Sequence, residues 1–231
     1  MSTELPLYFE KSPRRALWTR YRGYFSQRAF RSELYTSMLY FAASVVVSFY
    51  AINYANQVAS NYVTDIVLSN IPAFDVDGLF GYGTILLIAF IALLLLSHPR
   101  RMPFSLYAMG TFFLIRSVFT SLTHLGPFPT LPPNGDWGTL MSHFLFGSDY
   151  FFSGHVGVCF LMALVFWEDK ILRYAFLAWS LYMALVVLAG HYHYSIDVAS
   201  AYFITYTIFS MSVYFFPKAL AIFSTDPVPL P

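Results

Sequence analysis

"LFGYGTILLIAFIALLLLSHPRR", residues 79–101, decides the class of fold. Residues 79–97 carry no charge. As helix, at 1.5 Å per residue, they are long enough to cross roughly 30 Å of hydrocarbon. A proline and two arginines then close the run, and a second apolar stretch begins at once. Such a pair of spans joined by a tight basic turn belongs in a membrane.

The rest of the chain agrees. It has 231 residues, 58% hydrophobic and 11% charged, where a soluble domain would carry about 25% charge. Six spanning segments are expected, at about 36–58, 79–97, 103–122, 153–167, 172–190 and 194–215. The fourth is short and borrows its flanks. The expected fold is all-α, a polytopic membrane protein of six transmembrane helices. Three regions follow: a basic N-terminal segment 1–35, a catalytic six-helix domain 36–216, and a tail 217–231. Segment 1–35 reads either as a helix on the membrane surface, with Trp18, Tyr21, Tyr24 and Phe25 among arginines, or as a basic tail. Its first apolar run starts near 36 and is long enough to span, so no signal peptide is expected. The single cysteine, Cys159, lies in an apolar block, which excludes an internal disulfide. A net charge of +1 gives no case for nucleic acid. There is no low-complexity segment and no internal repeat. The sequence leaves the oligomeric state open.

Charge sets the expected orientation. Lys11, Arg14, Arg15, Arg20, Arg22, Arg28 and Arg31 precede the first span. Arg100, Arg101, Lys170, Arg173 and Lys218 fall in alternate loops and after the last span. The loops at about 59–78, 123–152 and 191–193 hold no Lys or Arg. Both termini are therefore expected to be cytoplasmic, with those three loops on the extracytoplasmic face. The thirteenth basic residue, Arg116, lies within the third span, about two turns from that face. It reads as a functional residue by cost, or as an arginine snorkelling to the headgroups.

The same face gathers the remaining polar groups. "GSDYFFSGH", 147–155, brings Asp149, Ser153, Gly154 and His155 to the start of the fourth span. "HYHYSID", 191–197, brings His191, His193, Tyr194 and Asp197 to the start of the sixth. His193 and Asp197 are four apart, the spacing of one helix face. A carboxylate that takes a proton from one imidazole nitrogen leaves the other as a nucleophile. His155 is suited to protonate a leaving group. Arg116 offers a planar donor fork for a phosphoryl group, and Ser153 and Gly154 open a helix whose free N–H groups favour an anion. Together these describe phosphoryl transfer through a phosphohistidine, with no metal or cofactor required. The rival is a metal site made of His155, His191, His193 and Asp197. It would leave Arg116 unexplained.

"DYFFSGH" at 149–155 and "HYHYSIDVASAYFIT" at 191–205 resemble the sphingomyelin synthase family, a branch of the type 2 phosphatidic acid phosphatase superfamily. "LIRSVFTSLTHLGP" at 114–127 resembles a third family segment, with Arg116 in the place of its arginine. The resemblance covers about 65–215. It implies six helices, both termini cytoplasmic, His193 as nucleophile, Asp197 as its orienter and His155 as general acid. Asp149, His191 and Tyr194 stand as supporting residues. Departures are Gly147-Ser148 for Cys-Gly, Val156 and Ser195 for threonines, and Tyr192 for an acid. They leave the catalytic core in place and bear on the acceptor. The expected partners are membrane lipids: a phospholipid carrying a phosphocholine-like headgroup, and a lipid alcohol such as ceramide or diacylglycerol. Water as acceptor would make the protein a lipid phosphatase or phospholipase C-like hydrolase. A third reading, a non-catalytic lipid-binding or lipid-moving protein, fits poorly with an intact His155, His193 and Asp197.

Overall fold

The computed structural model describes residues 13–130 and 150–224. Among them there are helices and no strands. The helices are α1 (Pro13–Ser26), α2 (Arg28–Val58), α3 (Asp77–Ser97), α4 (Met102–Leu122), α5 (Gly154–Val165), α6 (Lys170–Ala189), α7 (Ser195–Phe215) and α8 (Pro217–Ser224), with a 3-10 turn at Pro99–Arg101 before α4. Prolines at the starts of that turn, of α4 and of α8 sit where a missing N–H costs nothing. Asp169 caps α6 by accepting from Leu172 N at 3.2 Å.

Five stretches are long and apolar enough to cross a membrane: 28–58, 77–97, 99–122, 170–189 and 195–215. The fourth expected span is instead α5, only 12 residues, or roughly 18 Å. It fails to bridge a bilayer alone because it need not. Two thirds of its residues are buried, and α4, α6 and α7 enclose it. It is the core of the bundle.

The first span also differs from expectation. Its helix begins at Arg28, so the expected boundary at residue 35 falls within α2. Hydropathy marks where the chain turns apolar, whereas this helix runs on into its polar surroundings. There Tyr24, Phe30 and Leu34 form a small core against Met102 and Leu106. The tail beyond residue 216 likewise carries α8.

Close backbone approach joins α2 to α4. A Cβ on Gly110 would lie 2.7 Å from the Tyr40 ring, so glycine admits that ring, the small-residue packing expected where no hydrophobic force separates helix from lipid. Tyr107 donates to Thr36 Oγ1 at 2.7 Å across the same seam. At Gly157 three helices meet: a Cβ would lie 2.6 Å from Phe112 of α4 and 3.0 Å from Thr205 Oγ1 of α7.

The loops sort into two ends. Ser60 N donates to His124 O, Gly126 N to Asn61 O and Phe74 N to Ala189 O. These bonds gather the loops after α2, α4 and α6 at one end. At the opposite end Arg101 lies 3.8 Å from Asp169 and stacks over Phe166 and Phe223. The described basic loop residues thus collect away from His155 and His193.

Candidate active site

His193 precedes α7 rather than lying within it. The four-residue spacing to Asp197 is therefore met by a cap, not by a helix face. Asp197 is the third residue of α7, and its Oδ2 accepts from Tyr194 N at 3.1 Å. The same oxygen accepts from His193 Nδ1 at 3.3 Å. Satisfying the helix end and orienting the imidazole are one act, because both donors arrive at one carboxylate oxygen. That bond fixes the proton on Nδ1 and leaves the Nε2 lone pair outward. Asp197 is fully buried, and its Oδ1 has no hydrogen-bond partner.

His155 is the second residue of α5. It lies within electrostatic reach of His193 and Arg116. Phe80 of α3 covers it, with ring centroids 4.4 Å apart, and Tyr192 packs tilted on Phe80 at 4.9 Å. Its Nδ1 is closed off from solvent without a partner, while the rest of the ring is only partly covered.

Arg116 is buried at 5% exposure, six residues inside the end of α4, or about 9 Å of helix. Its Nε donates to Phe152 O at 3.2 Å. A Cβ on Gly154 would lie 3.0 Å from Arg116 Nε and 3.2 Å from Cζ. The guanidinium therefore lies across Gly154, at the first turn of α5. This contact, and the burial with it, removes snorkelling to the headgroups as the account of Arg116. Ser153, also buried, is the N-cap of α5, its Oγ accepting a long bond of 3.5 Å from Val156 N. Its own N–H donates to Asp197 O at 3.1 Å.

The chain enters this turn in an unusual conformation. Phe151 and Phe152 have φ of 103° and 29°, a left-handed range that bulky residues rarely take and that costs about 1–3 kcal/mol per residue. Phe152 is fully buried against Phe112 and Phe119. The aromatic contacts hold the turn that presents Phe152 O to Arg116.

The supporting residues separate. Asp149 lies outside the described residues. His191, at φ 57°, turns away from the dyad. It pairs with Thr130 Oγ1 and stands edge-on to Phe128. Burial holds its imidazole below the usual range, against the pull of Asp65 and the Ile71 carbonyl. Tyr194 is buried, and its hydroxyl donates to Gly126 O at 2.9 Å. It is a structural tie. Among the described residues no group of three or more His, Cys, Asp or Glu is placed to hold a metal ion.

Two carboxylates escaped the sequence reading. Asp65 Oδ2 accepts from Ser195 N at 2.7 Å and Ser195 Oγ at 2.8 Å. Its Oδ1 accepts from Val67 N and Leu68 N. Burial raises its carboxyl, but these four donors outweigh it and hold it below the usual range. Asp65 thus pins the first loop to the residue between His193 and Asp197. Asp77 accepts from the Tyr192 hydroxyl and so backs the wall beside His155. An aspartate beside or at the start of an apolar helix gives no sequence signal for either role.

No curated protein matches the chain. Residues 147–214, which carry His155, His193 and Asp197 and leave out Arg116, match the family described as PAP2 superfamily C-terminal, a match that supports the type 2 phosphatidic acid phosphatase superfamily and, with it, chemistry of the phosphatase or phosphotransferase kind.

Proposed function

We propose that the chain is an integral membrane lipid phosphotransferase. It moves a phosphocholine-like headgroup from a glycerophospholipid to a lipid alcohol such as ceramide or diacylglycerol. The observation that carries this reading is the meeting of three groups: the His193–Asp197 pair, His155 beside it, and the Arg116 guanidinium laid across the first turn of α5.

In the first half-reaction His193 Nε2 attacks phosphorus, and the N–P bond forms as the P–O bond to diacylglycerol breaks. His155 gives its proton to the departing oxygen. The imidazolium of His193 is stabilised by Asp197. Arg116 and the N–H groups opening α5 hold the phosphoryl oxygens, whose charge grows in the transition state. In the second half the acceptor hydroxyl loses its proton to His155 and attacks phosphorus. The N–P bond breaks and His193 returns to its first state.

A lipid alcohol is favoured over water by the Phe80 ring packed on His155, with Tyr192 beside it, which limits water at the imidazole that would activate it. The basic loops stand at the end opposite the dyad, which supports cytoplasmic termini and an extracytoplasmic site. The division into segments 1–35, 36–216 and 217–231 remains part of this proposal, the middle one being the catalytic unit.

The test is purified protein with headgroup-labelled phosphatidylcholine, with and without ceramide. Label transferred to ceramide supports the reading. Release of free phosphocholine in both cases makes the protein a hydrolase, and label that never appears on His193 removes the phosphohistidine.

A further inference from the structure

At the end of the bundle opposite His155 and His193 lies a second polar site. Arg20 and Tyr24 of α1, His98, Arg100 and Arg101 line a cavity of about 220 Å³ at the hairpin between α3 and α4. Its wall from α1 is docked, not loose: Tyr21 donates to Leu96 O at 2.7 Å, and Tyr24 packs into the small core with Phe30 and Leu34. The cavity opens beside the 3-10 turn that leads into α4, so the start of that helix adds its positive end.

Among the described residues the positive charge here is not balanced. Arg101 Nη1 reaches Asp169 only at 3.8 Å, and Asp169 is already engaged as the cap of α6. Arg100 Nη1 and Arg101 Nε are both closed off from solvent and make no hydrogen bond. Burying a guanidinium N–H without an acceptor is costly, more so than for a neutral donor. Ordinary loop arginines that only set orientation would leave such atoms in water. His98 also lines the cavity. Its Nδ1 lies 3.2 Å from Leu94 O, which places the ring at the cavity by way of its own helix end. Burial holds its imidazole below the usual range despite that carbonyl, and Arg101, Arg20 and Arg100 push the same way.

Three guanidinium groups and a helix start around a cavity of this size call for an anion. We propose that Arg20, Arg100 and Arg101 form a phosphate-binding site at the basic end of the bundle, separate from the catalytic centre and taking a phosphate ester or free phosphate. The guanidinium forks match phosphate oxygens in shape as well as charge. Because two apolar helices turn here, a phosphate on an anionic lipid can reach the site from the bilayer, and a free phosphate can reach it from water.

The experiment is native mass spectrometry of the full chain in detergent. The probes are dihexanoyl phosphatidic acid, dihexanoyl phosphatidylcholine and inorganic phosphate. The variants are R20Q/R100Q and, for the catalytic centre, R116A. Thermal melting checks that each variant is folded. Wild type and R116A should both prefer phosphatidic acid to phosphatidylcholine. In R20Q/R100Q, losing the fork contacts should weaken phosphatidic acid binding roughly tenfold or more. Binding of inorganic phosphate that also falls in R20Q/R100Q supports the site with a free anion as ligand, and phosphatidic acid binding alone assigns it to lipid. Equal binding by wild type and folded R20Q/R100Q overturns the proposal. So does a preference that survives in R20Q/R100Q and is lost in R116A, which places the phosphate at the catalytic centre.

Discussion

Replacing Gly154 by alanine tests the active-site geometry more sharply than removing a catalytic group. The new methyl would stand 3.0 Å from Arg116 Nε and 3.2 Å from Cζ, against an ordinary contact of about 3.5 Å. The guanidinium must then withdraw by about half an ångström. The backbone does not resist the change, since Gly154 opens a regular helix, and alanine is the better helix former. Folding stability should therefore change by less than about 1 kcal/mol. Catalysis should not be spared. A 1 Å misplacement of a catalytic contact costs about 100-fold, so half that distance should lower kcat roughly tenfold, or about 1.4 kcal/mol. The assay is initial rate on short-chain phosphatidylcholine with ceramide, at matched protein and with melting followed in parallel. A double-mutant cycle assigns the cause. If the methyl acts through Arg116, Gly154→Ala should add almost nothing in an Arg116→Ala background. Undiminished kcat in Gly154→Ala, or full additivity with Arg116→Ala, would refute the reasoning that the guanidinium acts from across Gly154.

Four further outcomes are expected. Asp197→Asn should lose roughly 10³-fold in kcat with lipid binding intact, since it disturbs the tautomer of His193, and near-normal turnover would remove the dyad. Arg116→Lys should lower kcat by more than it raises KM, because the charge stays and the fork is lost; unchanged kinetics would count against phosphoryl binding by Arg116. Activity should persist in EDTA, and its abolition with rescue by zinc would favour a metal site. Asp65→Ala should melt earlier than wild type at pH 7, by about 2–3 kcal/mol from the lost bonds to a charged acceptor. Its carboxyl is depressed in the folded protein, so that stabilisation is complete above the unfolded value of about 4 and disappears as pH falls through the lower folded value. A gap between the two proteins that widened with acid would contradict this.

The apolar runs made the long helices legible, and the alternation of basic loops made the two ends legible. Both signals come from the solvent, which acts on every residue of a span at once. The short core helix α5 was harder, since protein rather than lipid surrounds it and length ceases to matter. At the site, His155, His193, Asp197 and Arg116 could be named because charged and imidazole groups stand out against an apolar chain. How His193 meets Asp197 could not be read. A spacing of four fits a helix face, and only the chain path shows that a cap supplies the contact instead. Asp65 was invisible for a related reason. Its partners, Ser195 and the amides of Val67 and Leu68, are ordinary groups brought together by folding. His191 follows another path, because its own left-handed φ turns it to Thr130 rather than alongside His193.

The bond from Ser153 N to Asp197 O joins the helix that carries His155 to the one that His193 and Asp197 open. It uses no side chain. The spacing of the His155 and His193 imidazoles is thus tied to main-chain atoms, which no substitution short of proline alters directly. Chemistry and selectivity are thereby uncoupled in this fold. Under the proposed function, the residues that meet the acyl chains and the acceptor can drift from one lipid to another while the two imidazoles keep their separation, so a change of substrate need not pass through an inactive intermediate.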